Sequence, residues 1–502
     1  MLVVTRHGAY LSPDALAYVG TARNLVNGHG FTQPPGSPPL GNFPPAYSLI
    51  LAAFGAFGPD PLTVARFVNP LVFGVTIVLV GVLVRRLTGS LPLAVMAQLL
   101  VVTGSDFLMF HSAALSEPVF VLFALLAFVA LAASVRQARP VLLLVAAVFA
   151  AAACLTRYVG LAVVVAGVVG VLVFGGRHRW RGAVAFAALS LAPLFAWLAW
   201  VGHAAGRATN RSAVFHPPGW TYVGGGIVRV STWVLPAEVP APVRLVALAL
   251  VAGLLGWVAW RDRRHARPTA DELAAPASAR PTTRGLAGFV GLFAVAYLAA
   301  LVADRALFDV TGRLDDRFLL PFHAAVIVLA AWALRTVDLR RSHLARIGLT
   351  AVVGVHIVSG ALWVYDATTD PEVRPGGFAS PAWSHSTVID EVRALPAAAP
   401  VYTNEVDALW FHTGRVASAV PEKRIFLTGR PNRRYAAQLG EMDDRLRSGG
   451  LLVYFTSVPA RRVFLPTPSE LAQQLRLEEL TRDGIGVVYR VPGVTSGSAR
   501  PR

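Results

Sequence analysis

Ten apolar stretches, at 62–84, 91–110, 117–135, 140–156, 158–175, 182–202, 242–260, 285–303, 318–336 and 347–365, constrain this chain more than any other feature. A hydrocarbon layer about 30 Å thick takes roughly 20 apolar residues in a helix, and a helix satisfies its own backbone N–H and C=O groups there. With 55% hydrophobic and only 15% charged residues, the 502-residue chain carries more apolar surface than one soluble core would hide. The expected fold is a polytopic α-helical membrane protein of about ten spans. Residues 140–175 contain no polar loop, yet one helix of that length would reach about 54 Å at 1.5 Å per residue. A tight turn at Thr156-Arg157-Tyr158-Val159-Gly160 divides it into two spans. Residues 46–58 are apolar but short and led by proline, which predicts an interfacial helix.

The net charge of +17 raises the question of nucleic acid. The basic residues, however, lie in short clusters between apolar stretches and not along one amphipathic face, so no nucleic-acid partner is expected. Placed on alternate sides, the loops separate. One set holds Arg85, Arg86, Arg136, Arg139, Arg177, Arg179, Arg181, Arg261, Arg263, Arg264, Arg267, Arg335, Arg340, Arg341 and Arg346, and the positive-inside rule makes it cytoplasmic. The other holds Asp14, Asp106, Glu117, Glu238, Asp304, Asp309, Asp315 and Asp316, with arginines among them, and is expected to face outward with the chemistry. Arginine supplies nearly all the positive charge, Lys423 being the only lysine, a usage that suggests a GC-rich bacterial genome and a bacterial plasma membrane. Cys154 stands alone inside a span, so an intrachain disulfide is excluded.

Beyond residue 365 the pattern turns soluble. Val401-Tyr402-Thr403, residues 451–455 and residues 486–490 read as buried strands; residues 386–393 and 469–475 have helical spacing, the second led by proline and a capping serine, Ser469. The expected division is an outer-face catalytic loop with interfacial helices at 1–61, a transmembrane domain at 62–365, an extracytoplasmic α/β domain at 366–494 and a disordered tail at 495–502. The segment 261–284 reads as a flexible cytoplasmic loop, and Gly224-Gly225-Gly226 as a flexible outer turn.

Four constellations could carry chemistry. Asp14, with Tyr18 one helical turn on, is placed to take a proton from an acceptor hydroxyl, or else to cap a helix after Ser12-Pro13. Glu117 opens a long apolar helix, where a carboxylate either binds substrate or complements the helix dipole; Asp106 and His111 share that rim. Arg157, at the outward turn, offers a planar fork for a lipid phosphate or snorkels to the headgroups, and Tyr158 would pack on an isoprenoid or sugar. In Arg313-Leu314-Asp315-Asp316-Arg317, the arginines would meet a phosphate and the aspartates orient them or the sugar, with mutual salt bridging as the alternative. Adjacent aspartates also suit a divalent cation, but the sequence offers no converging third ligand, so no metal or other cofactor is expected.

These pieces together resemble the GT-C superfamily of membrane glycosyltransferases, in the branch of bacterial proteins similar to protein O-mannosyltransferases and the aminoarabinose transferase. The resemblance rests on Asp14-x-x-x-Tyr18 with Gly28-His29-Gly30, Phe43-Pro44-Pro45-Ala46-Tyr47, Ser116-Glu117, Leu155 to Gly160, and Asp316-Arg317-Phe318-Leu319-Leu320-Pro321, in the family's order over residues 10–325. It implies an inverting transferase that moves a sugar from a polyprenyl-phosphate carrier to a hydroxyl of a glycan, lipid or protein on the outer membrane face. It also implies Asp14 as base, Arg157 and Arg317 near the phosphate, and Glu117 near the sugar or acceptor; Tyr18, Tyr158 and Asp316 are expected at the substrate beside them. Many relatives carry a second acid directly after the aspartate, where this chain has Ala15. Relatives also carry a membrane helix ahead of this loop, where this chain has Leu2-Val3-Val4, so a first span upstream of Met1 is expected. The competing reading is a non-catalytic protein that binds or translocates lipid-linked sugars; it would use the same arginines without needing Asp14.

Overall fold

The computed structural model describes residues 1–6, 8–33, 37–39, 41–209, 213–265, 282–309, 311–337, 343–369, 376–426, 428–458 and 463–494. Every expected span lies on helix. The amino-terminal half contains α1 (Pro13–Val26), α2 (Ala46–Gly55), α3 (Pro61–Thr88), α4 (Leu91–Thr103), α5 (Ser105–His111), α6 (Glu117–Gln137), α7 (Pro140–Thr156) and α8 (Leu161–Phe174). There follow α9 (Arg179–Ala205), α10 (Trp220–Val230), α11 (Ala241–His265), α12 (Thr282–Leu307), α13 (Asp316–Ala333) and α14 (His343–Thr369). Seven of these (α3, α6, α9, α11, α12, α13 and α14) are long and apolar enough to cross a membrane. The α4–α5 pair makes an eighth if taken as one span broken by a 57° bend. The chain is thus a multi-pass membrane protein. α7 and α8 are shorter, and the expected turn between them is a 3₁₀ turn at Tyr158–Gly160. α2, at ten residues, is too short to span.

Small residues let these helices close up. Gly170 of α8 lies against Phe289 of α12, and Gly167 against Phe186 of α9, so tightly that neither position has room for a Cβ. The apolar exteriors of α3, α9, α11 and α14 stay uncovered by protein, as lipid-facing helices require; Leu71, Phe195, Leu250 and Leu362 are examples.

The carboxyl-terminal region forms α15 (Pro381–Ser384), α16 (Thr387–Ala394), β1 (Val401–Thr403), α17 (Val406–Thr413), β2 (Ser418–Ala419), α18 (Tyr435–Arg447), β3 (Leu451–Phe455), α19 (Pro468–Leu475), β4 (Glu478–Arg482) and β5 (Gly486–Arg490). The strands lie in the order β2-β1-β3-β5-β4. β1 is parallel to β2 and β3, and β5 is antiparallel to β3 and β4. β3 is buried throughout because successive side chains serve opposite cores. Leu451, Val453 and Phe455 join the main apolar cluster, whereas Leu452 and Tyr454 pack with Met442, Leu446 and Leu471.

Three sequence readings need correction. Gly224-Gly225-Gly226 is not a turn but the middle of α10. The cap of α19 is Thr467, not Ser469: Thr467 and Glu470 form a reciprocal capping box ahead of Pro468. Of the 261–284 segment, residues 261–265 and 282–284 are helical, and the expected loop at 266–281, like the tail at 495–502, lies outside the described residues.

Candidate active site

Two backbone bridges bring Asp14 to its neighbours. Tyr10 N donates to Ser112 O (3.0 Å) and Ala114 N to Tyr10 O (2.9 Å), which ties the start of the chain to the loop before Glu117. On its other side, Leu11 N donates to Gly376 O (3.2 Å) and Phe378 N to Leu11 O (2.9 Å), which docks the carboxyl-terminal region. The loop before Glu117 is held in turn by buried Asn69 of α3, which donates to the carbonyls of Ala113 and Leu115 and accepts from Tyr47 (3.2 Å).

Three helix N-termini then converge. Ser12 caps α1, its hydroxyl accepting from Ala15 N at 3.2 Å, so Pro13 and Asp14 stand in the first turn and Asp14 is not itself the cap. Glu117 opens α6 after Ser116. Asp315 caps α13 by accepting from Phe318 N at 3.1 Å, which leaves Asp316 and Arg317 in its first turn. The positive ends of three helix dipoles therefore meet where the acids are.

Arg317 is the junction. Its Nη1 donates to Asp14 Oδ2 at 2.6 Å, and its Nε donates to Glu117 Oε1. Arg157, at the carboxyl cap of α7, donates from Nη1 to that same Oε1 and to Ser116 Oγ (3.3 Å), and Ser116 shares a 2.9 Å hydrogen bond with the Tyr18 hydroxyl. Both guanidinium groups sit 5.7 Å from the Phe318 ring centroid, and Tyr297 bonds to the Phe318 carbonyl at 2.9 Å. The Glu117 side chain is 1% exposed and Arg157 12%, whereas Asp14 is 35% exposed, so Asp14 is the acid open to a ligand. Glu117 Oε2 and Arg157 Nε are buried without a hydrogen-bond partner among the described residues. Burial pushes the Tyr18 phenol well up, which keeps it a neutral hydrogen-bonding group.

Of the residues expected at the site, Asp14, Tyr18, Glu117, Arg157 and Arg317 come together. Tyr158 and Asp316 stand apart. Tyr158 donates its hydroxyl to Gly41 O (2.9 Å) and accepts from Trp197 Nε1 (3.2 Å), bracing the α7–α8 turn; Asp316 pairs with Arg229 at 3.3 Å. Asp106 and His111 do not line the cluster: Asp106 bonds to His323 of α13 at 2.7 Å, and His111 is buried against the Phe107 carbonyl. Sequence reasoning assigned no role to Ser116, Asn69, Tyr297 or Phe318. Only the apolar context of Asn69, a lone amide within an apolar helix, marked it in advance. Among the described residues no group of three or more His, Cys, Asp or Glu side chains is placed to hold a metal ion.

Residues 33–175 match the profile of dolichyl-phosphate-mannose-protein mannosyltransferase. The chain superposes over its full length on 97% of ArnT from Cupriavidus metallidurans bound to undecaprenyl phosphate, with a TM-score of 0.61 at 15% identity. Against apo ArnT from the same organism the TM-score is 0.60 at 14% identity, again covering 100% of this chain and 97% of that one. No curated protein matches by sequence. The resemblance read from the motifs is therefore matched by the architecture: the chain has the GT-C fold.

Proposed function

We propose that this protein is an inverting membrane glycosyltransferase that moves a sugar from a polyprenyl-phosphate carrier to an acceptor hydroxyl at the outer membrane face, with Asp14 as base. The observation that carries this reading is the Asp14–Arg317–Glu117–Arg157 cluster at three helix N-termini. Two guanidinium forks and three positive dipole ends suit a phosphate, and a half-open carboxylate beside them suits proton removal. The fold it shares with ArnT, a protein crystallised with undecaprenyl phosphate, supports the carrier class. The loop charges support the orientation, with the cluster opposite the arginine-rich loops.

In the reaction, the acceptor oxygen attacks the anomeric carbon from the face opposite the phosphate. The new carbon–oxygen bond forms as the bond to the phosphate oxygen breaks, the electron pair leaves on polyprenyl phosphate, and the hydroxyl proton passes to Asp14. Arg317 and Arg157 stabilise the charge that develops on the phosphate, more strongly at a water-poor rim than in bulk water. Glu117, buried and bound to both arginines, fixes their forks.

The test compares membranes holding wild type and Asp14→Asn, supplied with labelled polyprenyl-phosphate mannose, for release of polyprenyl phosphate and for labelled acceptor. The expected loss of transfer is about 10²–10⁴-fold with lipid binding retained. Equal transfer by both proteins rejects Asp14 as the base. Lipid-phosphate binding with no turnover by the wild type, whichever lipid-linked sugar is supplied, would favour the non-catalytic binding protein.

A further inference from the structure

A cavity of about 950 Å³ is lined by Leu314 and Asp315, just ahead of Arg317 in the chain, and does not include Arg317, Glu117, Arg157 or Asp14 in its lining. It is bounded by α10, the end of α12, the 311–315 loop and two segments of the carboxyl-terminal domain, around Arg424 and Phe464. Four arginines line it, Arg229, Arg305, Arg313 and Arg424, against the single carboxylate of Asp315. Neighbouring acids offset part of that charge: Asp316 pairs with the lining Arg229 at 3.3 Å, Asp304 acts electrostatically on the Tyr222 phenol, and Asp309 accepts from the backbone and hydroxyl of Thr311 at 2.8 and 2.6 Å, which leaves Arg305, Arg313 and Arg424 as the lining arginines with no carboxylate salt bridge among the described residues. Arg305 extends past the Tyr222 ring, 5.7 Å from its centroid, and its Nη1 is buried with no hydrogen-bond partner among the described residues. Arg424 is tied through Nε to Gly429 O at 2.8 Å. The wall is built: His216 N donates to Ala306 O, beside Arg305, at 2.6 Å, and the His216 ring bonds to Thr428 O at 3.0 Å, which joins the outer loop to the domain.

We propose that this cavity holds an anionic saccharide, a sugar bearing a phosphate or carboxylate, as the acceptor or part of it. The word acceptor rests on the transferase reading; the anion site does not. A buried guanidinium N–H without a partner costs free energy that a phosphate or carboxylate oxygen recovers. The volume is at the upper end for small-molecule sites, room for more than one sugar ring, and Tyr222 and Phe464 offer aromatic surface to a sugar face. The carboxyl-terminal domain supplies one wall, through Arg424, Gly429, Val463 and Phe464. Arg313 belongs to this cavity, which separates it from Arg317, four residues on.

The test is calorimetric titration of mannose 6-phosphate, and of mannose, into the full chain in phosphatidylcholine nanodiscs, for wild type, Arg305→Gln and Arg424→Gln. Arg424 is exposed, so its replacement leaves folding intact if Arg305→Gln does not. The phosphate-bearing sugar should bind and mannose should not, and each replacement should weaken binding about tenfold or more. Repeating the titration with phosphatidylglycerol in the disc distinguishes the sources of the anion. Competition by the lipid assigns the site to a lipid-borne headgroup, and its absence assigns it to a free glycan; both keep an anion site. Equal binding of mannose and its phosphate, no binding at all, or wild-type affinity in both variants overturns the proposal. So does an equal loss of undecaprenyl phosphate binding in the variants, which would make this cavity the carrier's. A wild type that binds mannose 6-phosphate through these arginines but turns over no lipid-linked sugar would leave the anion site standing and remove the transferase reading alone.

Discussion

Replacing Glu117 by glutamine keeps the size of the side chain and removes the one charge that holds two buried arginines together. Arg157 and Arg317 both donate to Glu117 Oε1, and the acid is 1% exposed. At an effective dielectric near 20, each pair with charge centres about 4 Å apart gains roughly 4 kcal/mol. Without the acid, the two guanidinium groups repel one another, and only Arg317 retains a carboxylate, Asp14. Breaking a buried pair by removing one partner typically costs about 3–5 kcal/mol, and the upper half of that range applies because one acid serves two bases. The assay is thermal unfolding of purified protein in detergent, followed by tryptophan fluorescence, for wild type, Glu117→Gln, Arg157→Met and the double variant. Glu117→Gln should unfold well below wild type. Adding Arg157→Met should recover part of the loss, giving a coupling energy of about 1–3 kcal/mol. A Glu117→Gln protein that unfolds with wild type, or two losses that simply add, would show that the carboxylate is not what reconciles these charges.

Two further outcomes are expected. Gly160 follows Arg157 in the α7–α8 turn, and a Cβ there would meet backbone atoms of Cys154 and Ala153 at 2.6 and 2.7 Å; Gly160→Ala should therefore displace the turn, cost about 1–3 kcal/mol and lower transfer with it, whereas Gly176→Ala, in open space, should match wild type in both assays. Asp483 is partly buried, which alone would raise its carboxyl, but bonds from Ser386 Oγ (2.6 Å) and from the N–H groups of Ile485, Val388 and Gly486 hold it below its ordinary 3.8. Its contribution is thus fully present above pH 3.8 and lost as pH falls through the lower folded value, so the tryptophan melting midpoint should fall more steeply in acid for wild type than for Asp483→Asn, and parallel curves would contradict this.

What the sequence showed and what it hid divide along one physical line. Spans, the α7–α8 break and β1, β3 and β5 were legible because they depend on runs of apolar residues and on a length limit that the bilayer or a buried sheet imposes locally. The α19 cap is a local misreading, since Thr467 and Glu470 cap each other within one turn; the glycine run misleads because tertiary contact overrides local chemistry. Three consecutive glycines read as a turn, yet Gly226 sits helical where a Cβ would collide with Leu314, so close packing and not flexibility accounts for that one. Of the two acids in the Asp315-Asp316 pair, the first caps the helix and the second turns outward to Arg229, a difference of one helical step that no composition reveals. The cluster itself joins residues 303 and 200 positions apart, so its members were recognisable singly as costly charges at a membrane edge, but their pairing was not.

That pairing bears on how a carrier lipid would enter. Arg317 Nη1 is held by the Asp14 carboxylate at 2.6 Å, so a phosphate arriving at this guanidinium would share its charge with Asp14. On the proposed transferase reading, phosphate and Asp14 would compete for one cation, and a seated phosphate would free the carboxylate from Arg317 for the acceptor hydroxyl. That reading would put donor binding before acceptor deprotonation. It also makes Asp14→Asn more than a dead enzyme: an amide is a weaker competitor for Arg317, so the variant should bind undecaprenyl phosphate more tightly than wild type. The charge removed is partly solvated, 35% exposed, and a solvent-screened pair contributes about 1 kcal/mol or less, which corresponds to a gain of roughly fivefold or less in affinity. Titrating the lipid into both proteins in detergent, with Glu117 intact, measures it. Weaker binding by Asp14→Asn would mean that the carboxylate orients Arg317 for the phosphate and does not compete with it, and the order of events would then have to be reversed.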